Sequence, residues 1–220
     1  MVTTAQSLRS QGAGDLDKGL PNLGQHLNIL RTFGVPTIVA LNRFANDTDE
    51  DLRRLREYCE QQGVATALST AYVNGGAGAE ELAHAVVELV EKRVGESEVT
   101  PVYRLEETLE RKIDAVAKRV YGARGVVLED RAKAKLRDFT EWGFGNLPIC
   151  VAKTQYSLSD NPKVLGAPKD WELRVTDAAL SAGAGFVVVI AGNMMLMPGL
   201  PTEPRTLEID VKDDGEIVGV

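Results

Sequence analysis

Cysteine, histidine and aromatic rings are all scarce in this chain: two cysteines, two histidines and 5% Phe, Trp and Tyr among 220 residues. Two cysteines do not make a disulfide framework in a chain of this size. Cys59 in a predicted helix and Cys150 in a predicted strand read instead as small buried hydrophobes. His26 and His84 fall in predicted helices with no Cys or His at ligand spacing, which speaks against a structural metal site. Basic residues are outnumbered, 25 against 32 acidic ones, for a net charge of −7. Phosphate-backbone contacts need clustered Lys and Arg, so a nucleic-acid partner is not expected. No apolar run approaches the roughly 18–20 residues of a membrane span. The opening Met1-Val-Thr-Thr-Ala lacks the basic and then apolar order of a secretory leader, so the expected location is the cytoplasm. No G-x-x-x-x-G-K-[ST] stretch occurs, so this sequence carries no phosphate loop of that kind. Asp213-Asp-Gly215 reads as a hairpin turn rather than a calcium loop, because the remaining oxygen ligands are missing.

What is present suffices for a sizeable core. At 44% hydrophobic residues the chain can fill one large or two small domains. Leu20, Leu23, Leu27 and Leu30 recur at helical spacing over residues 19–33, Gly34 stops that helix, and the Pro36–Leu41 run is expected to follow as a buried, parallel strand. Residues 42–48 form a loop in which Asp47 or Thr48 caps a helix reaching about Gln62. A strand at Val64–Leu68 leads through the glycine-rich loop 69–78 into a helix at 79–93. The polar segment Gly95–Pro101 is the candidate boundary between portions 1–95 and 100–220. Beyond it come helices at 105–120 and 131–142, a short strand at 126–128, a strand at 171–176, a short helix start at 177–181 and an apolar strand at Phe186–Ala191. Residues 1–18 read as a strand end, a polar loop and glycine turns. Alternating strands and helices predict an α/β fold: a mostly parallel sheet with flanking helices, followed by a smaller α/β carboxyl-terminal portion.

Two regions carry possible chemistry. The first is Cys150-Val-Ala-Lys-Thr-Gln-Tyr-Ser-Leu-Ser-Asp-Asn-Pro162, where the end of a buried strand turns abruptly polar, as ligand-binding edges of α/β sheets do. Lys153 could meet a phosphate or carboxylate as a point charge, or could be a solvated surface lysine. Ser159 or Asp160 could cap a turn before Pro162. The second region is the pair of loops after the strands at 36–41 and 64–68, which emerge at one sheet edge if those strands are parallel neighbours. Each offers one aromatic, Phe44 and Tyr72. Two such rings can sandwich a flat heterocycle, or can be ordinary packing residues. The glycine loop could cradle an anion with its amides, or simply turn.

Several of these segments resemble formate–tetrahydrofolate ligase: Lys153-Thr-Gln-Tyr-Ser-Leu-Ser-Asp160, Leu147-Pro148 before it and Met197-Pro-Gly-Leu-Pro201 after it. The resemblance runs from about residue 2 to the end and covers only the carboxyl-terminal part of that family, whose members are more than twice as long. Residues 2–14 are similar to an eroded family motif, with Gln6, Arg9 and Ala13 in place of Arg, Lys and Gly. The resemblance implies an ATP-dependent ligase that formylates tetrahydrofolate through formyl phosphate, with Mg²⁺ on the nucleotide and room in the expectation for a monovalent cation. It implies that Asn42-Arg-Phe44, Leu68 and Tyr72-Val-Asn-Gly75-Gly76 form the folate site, with Tyr72 where Trp is usual and Ala45 where Pro is common. It places Met197, Pro198, Gly199, Leu200 and Pro201 beside the adenine, and assigns the phosphate loop to the absent amino-terminal part. This chain alone is then expected to be inactive, and to associate with itself or with the missing half. The other reading is a non-catalytic folate- or partner-binding module derived from that enzyme.

Overall fold

Thr4, Asp15 and Thr48 are the three short polar side chains that start the first three helices, each accepting from backbone amides one turn ahead. In the computed structural model, which describes residues 1–92, 99–194 and 202–219, they set up the order β1 (Val2–Thr3), α1 (Ala5–Gln11), α2 (Leu16–Thr32), β2 (Ile38–Asn42) and α3 (Asp49–Gln61). Then follow β3 (Ala65–Ser69), a single turn α4 (Ala71–Asn74), a 3₁₀ turn (Gly75–Ala79) and α5 (Glu80–Glu91). The three strands form one parallel sheet, β1-β2-β3, with Val2 opposite Ala40 and Asn42 opposite Ser69. β2 is central and its residues 38–41 are buried, which is why it reads as an unbroken apolar run rather than an alternating one. Leu8, Leu23, Leu27, Val39, Leu41, Leu55 and Cys59 close the core beneath it. Residues 5–11 are a helix and not the loop expected. Ala5 and Leu8 are buried at helical spacing behind the Thr4 cap, a pattern too short to stand out among the polar residues around it.

The second half contains α6 (Leu109–Arg119), β4 (Gly125–Leu128), α7 (Asp130–Phe139), a π-turn at Thr140–Phe144, β5 (Ile149–Ala152), β6 (Glu172–Ser181) and β7 (Phe186–Ala191). Its sheet has the order β4-β6-β7-β5, parallel at both flanks and antiparallel between β6 and β7. Leu109, Ile113, Leu136, Leu173, Val175, Val187 and Val189 make a separate core. A two-stranded ribbon of β8 (Asp210–Val211) and β9 (Ile217–Val218) flanks the Asp213-Asp-Gly215 turn.

Two expectations are corrected here. Residues 177–181 continue β6 as strand, pairing Ala178 with Val189 and Ser181 with Phe186, where a helix start was expected. The register shifts between Val175 and Asp177, so the alternation of Leu173 and Val175 is interrupted before Ala178 turns inward. That interruption hides the strand period from the sequence. Cys150 is exposed rather than buried. β5 is an edge strand whose outward side Cys150 occupies, while Ile149 and Val151 are only half-buried.

Candidate functional site

The parallel register of β2 and β3 brings the loops after them out at the same sheet edge. In the first loop Asp47 accepts from the amide of Phe44 (2.8 Å), and its own amide donates to the Phe44 carbonyl (3.0 Å). This small ring of bonds holds the Phe44 backbone, while Arg43 donates to the Ser69 carbonyl and ties the loop to the end of β3 (2.9 Å). In the second loop the amide of Thr70 donates to the Gly78 carbonyl (2.9 Å), closing residues 70–78 into a loop. A Cβ at Gly78 would stand 2.6 Å from the Thr70 carbonyl carbon, and Gly75 has a φ of +57°, so the closure needs both glycines. Thr70 also accepts from Asn74 (3.0 Å).

These constraints carry Phe44 and Tyr72 to each other. Their ring centroids lie 5.2 Å apart with planes inclined at 50°. A flat heterocycle between two rings needs roughly 7 Å, twice the carbon contact distance of about 3.5 Å. The rings therefore touch, and a ligand must part them. Phe44 is half-buried and Tyr72 is 77% exposed, so Tyr72 is the side chain with room to swing. Asn42 and Leu68 are half-buried at the carboxyl ends of their strands, and Gly75 and Gly76 are exposed in the loop beyond Tyr72. Leu68 donates its amide to Glu81 of α5 (3.0 Å).

Lys153 stands in a different place. It is half-buried rather than a solvated surface lysine, at the mouth of a cavity of about 530 Å³ between the two sheets. Its Nζ donates to the carbonyls of Thr154 (2.9 Å) and Ser157, and sits 5.0 Å from the centre of the Tyr121 ring. Burial pushes its pKa down to about 8, with the charge of Asp160 pulling the other way. His26 of α2 lines the same cavity. Its pKa is lowered by loss of water and by the Lys153 charge, even though the ring keeps an open side. Of the capping candidates near Pro162, Ser159 accepts from the Asn161 amide (3.2 Å), whereas Asp160 accepts from Arg174 on β6 (2.9 Å). His26 and Tyr121 escaped the sequence reading because residues 26, 121 and 153 share no motif, and only the fold brings them together.

Residues Met197, Pro198, Gly199, Leu200 and Pro201 lie outside the described residues. The chain leading to them, Gly192–Met194, borders a hollow of about 630 Å³ with Thr176 and Asp177. Asp177 is ion-paired to Arg131 (2.9 Å) and Lys135 (2.7 Å). Burial works to raise the Asp177 pKa and is outweighed by the Lys135 hydrogen bond and the two charges, leaving it lowered. Among the described residues no three of His, Cys, Asp and Glu come together as a metal cluster. No helix among them is long and apolar enough to cross a membrane.

Residues 2–220 match the protein family described as formate–tetrahydrofolate ligase. Over 214 residues the chain is 45% identical to the formate–tetrahydrofolate ligase of Kosmotoga olearia, an alignment covering 97% of this chain and 38% of that relative. The chain thus spans less than two fifths of the length of the curated relative it matches.

Proposed function

Since the chain belongs to the formate–tetrahydrofolate ligase family, we propose that it is the carboxyl-terminal part of such a ligase and supplies its folate site. In this reading the whole enzyme uses ATP to convert formate to formyl phosphate, which the folate then intercepts. Such phosphoryl transfer rests on positioning and charge neutralisation by a phosphate loop, its Lys and Mg²⁺. In this reading Mg²⁺ accompanies the nucleotide phosphates. Portion 1–95 carries the folate loops, and portion 100–220, through residues 197–201, borders the nucleotide.

The observation that carries the proposal is the convergence of Phe44 and Tyr72 from neighbouring parallel strands, each on a loop closed by its own hydrogen bonds. Tetrahydrofolate enters by parting the two rings and stacking between them. A base on an aromatic ring is worth roughly 1–3 kcal/mol per ring, so Phe44→Ala and Tyr72→Ala should each weaken binding about five- to a hundredfold. Tyr72→Trp should hold or improve affinity, because it offers a larger face. Calorimetric titration of the variants with tetrahydrofolate, beside their melting curves, decides the matter. Alanine variants that bind like the parent, or that merely unfold, would make the two aromatics packing residues.

A second reading has its own support. α5 has no buried residue and presents Val86, Val87 and Val90 to solvent, which favours a module that docks onto another chain.

A further inference from the structure

Lys153 brings a cation to this cavity, with Asp160 the one carboxylate whose charge reaches it from outside the lining. Among the described residues no carboxylate pairs with Lys153, and no Asp or Glu lines the cavity. An ammonium has three N–H donors, and Lys153 gives hydrogen bonds to two carbonyls, which leaves one donor for a further acceptor. Partial burial disfavours an ammonium, and a lysine held in a cleft in this way is a candidate for meeting an anion. The walls suit an anion: Thr3 supplies a hydroxyl, His26 a ring nitrogen and Gln155 an amide, while the Ser7 hydroxyl already donates to the Thr4 carbonyl (3.0 Å). Met1 also lines the cavity, but its ammonium is engaged by the Ile38 carbonyl (2.7 Å).

Position adds a second argument. Met1, Val2 and Thr3 all line the cavity, so it runs along β1, the edge strand of the same parallel sheet that carries the Phe44 and Tyr72 loops, and reaches its carboxyl end at Thr3. Adjacent strands lie about 4.8 Å apart, which puts the end of β1 roughly 10 Å from the end of β3. We propose that this cavity is an oxyanion site, with Lys153 as its cation and Tyr121 as its wall, taking a carboxylate or a phosphate group. The proposal stands on the charge and the cavity and does not require folate between the aromatics.

The two histidines make the test direct, since His26 lines the cavity and His84 sits exposed on α5. The 220-residue chain is titrated separately with inorganic phosphate, formate and L-glutamate while the imidazole resonances are followed by NMR. The expected result is a saturable shift of His26 with His84 unmoved, and the anion that saturates at the lowest concentration identifies the source of the oxyanion. Lys153→Met should weaken that binding roughly tenfold or more, the loss expected for a charged hydrogen bond, whereas Lys153→Arg should retain most of it. If Lys153→Met fails to fold, the parent answers instead: a saturating anion should protect the Lys153 amine from reductive methylation. Equal, non-saturating shifts of both histidines overturn the proposal. So does a folded Lys153→Met that binds like the parent, or an amine left unprotected.

Discussion

Asp51 is a side chain on which three local structures depend. Its carboxylate receives two hydrogen bonds from Arg9 (2.6 and 3.1 Å), linking α1 to α3, and a third from the Thr48 amide (3.1 Å). Thr48 returns the favour to the Asp51 amide, completing a capping box at the start of α3, directly after the Phe44 loop. The Arg9 bonds, with the Thr48 contacts behind them, hold the Asp51 pKa at about 2 against an ordinary 3.8, although burial works the other way. Between those values the unfolded chain binds more protons than the native one. The stabilisation is therefore complete above pH 3.8 and drains away as the pH falls toward 2. The shift is worth about 1–2 kcal/mol once the partial exposure of Arg9 is discounted. Asp51→Asn should cost that much at neutral pH and flatten the acid limb of the stability curve. Urea titrations of both proteins at pH 7 and pH 3 measure it, and parallel pH dependences would show that the pair contributes nothing.

Between elements, α1 and α2 approach each other closely. A Cβ built on Gly19 would lie 1.8 Å from the Leu8 carbonyl oxygen, a backbone atom that cannot swing aside. Gly19→Ala should therefore separate the two helices and cost about 2–4 kcal/mol, in the range of overpacked cores. Thermal melts of the purified variant give the answer, and a melting point within a degree or two of the parent would disprove the tight contact. The same pair of helices shows what was legible in the sequence. α2 was readable from four leucines at helical spacing, and β2 and β7 from unbroken β-branched or apolar runs. α1 was not, since seven residues with two buried side chains give too little period. The tail of β6 was not either, because a bulge at its middle breaks the alternation by which strands are recognised.

For the whole molecule, the two aromatic loops could be placed at one edge as soon as β2 and β3 were read as parallel neighbours. Their mutual contact, and the company Lys153 keeps, could not, since both depend on side chains hundreds of atoms apart along the chain. Two consequences concern the chain as a unit. Its sequence carries no G-x-x-x-x-G-K-[ST] loop to hold the phosphates of ATP, so it should release no ADP from ATP in the presence of formate and tetrahydrofolate. Formate-dependent ADP release in a coupled assay of the purified 220-residue chain would refute this. Val86, Val87 and Val90 are 43%, 52% and 59% exposed on one helix, next to a loop that exposes Tyr72 and Val73. Apolar surface of that kind is rarely left in water. The chain should therefore associate at concentrations of tens of micromolar, on the scale of ordinary micromolar affinities. Val87→Glu should shift the light-scattering mass toward the monomer, and a parent that is already monomeric would exclude the interface.

In the folate site proposed above, the contact between Phe44 and Tyr72 would compete with the ligand for both ring faces. Each ring occupies the face that the other would offer to a ligand, so an incoming heterocycle exchanges one ring–ring contact for two new ones. The affinity lost on deleting Tyr72 is then smaller than the stacking Tyr72 provides, because Phe44 is released from a rival at the same moment. Capture, more than residence, is what such a pair would slow: an arriving ligand must wait until the rings part.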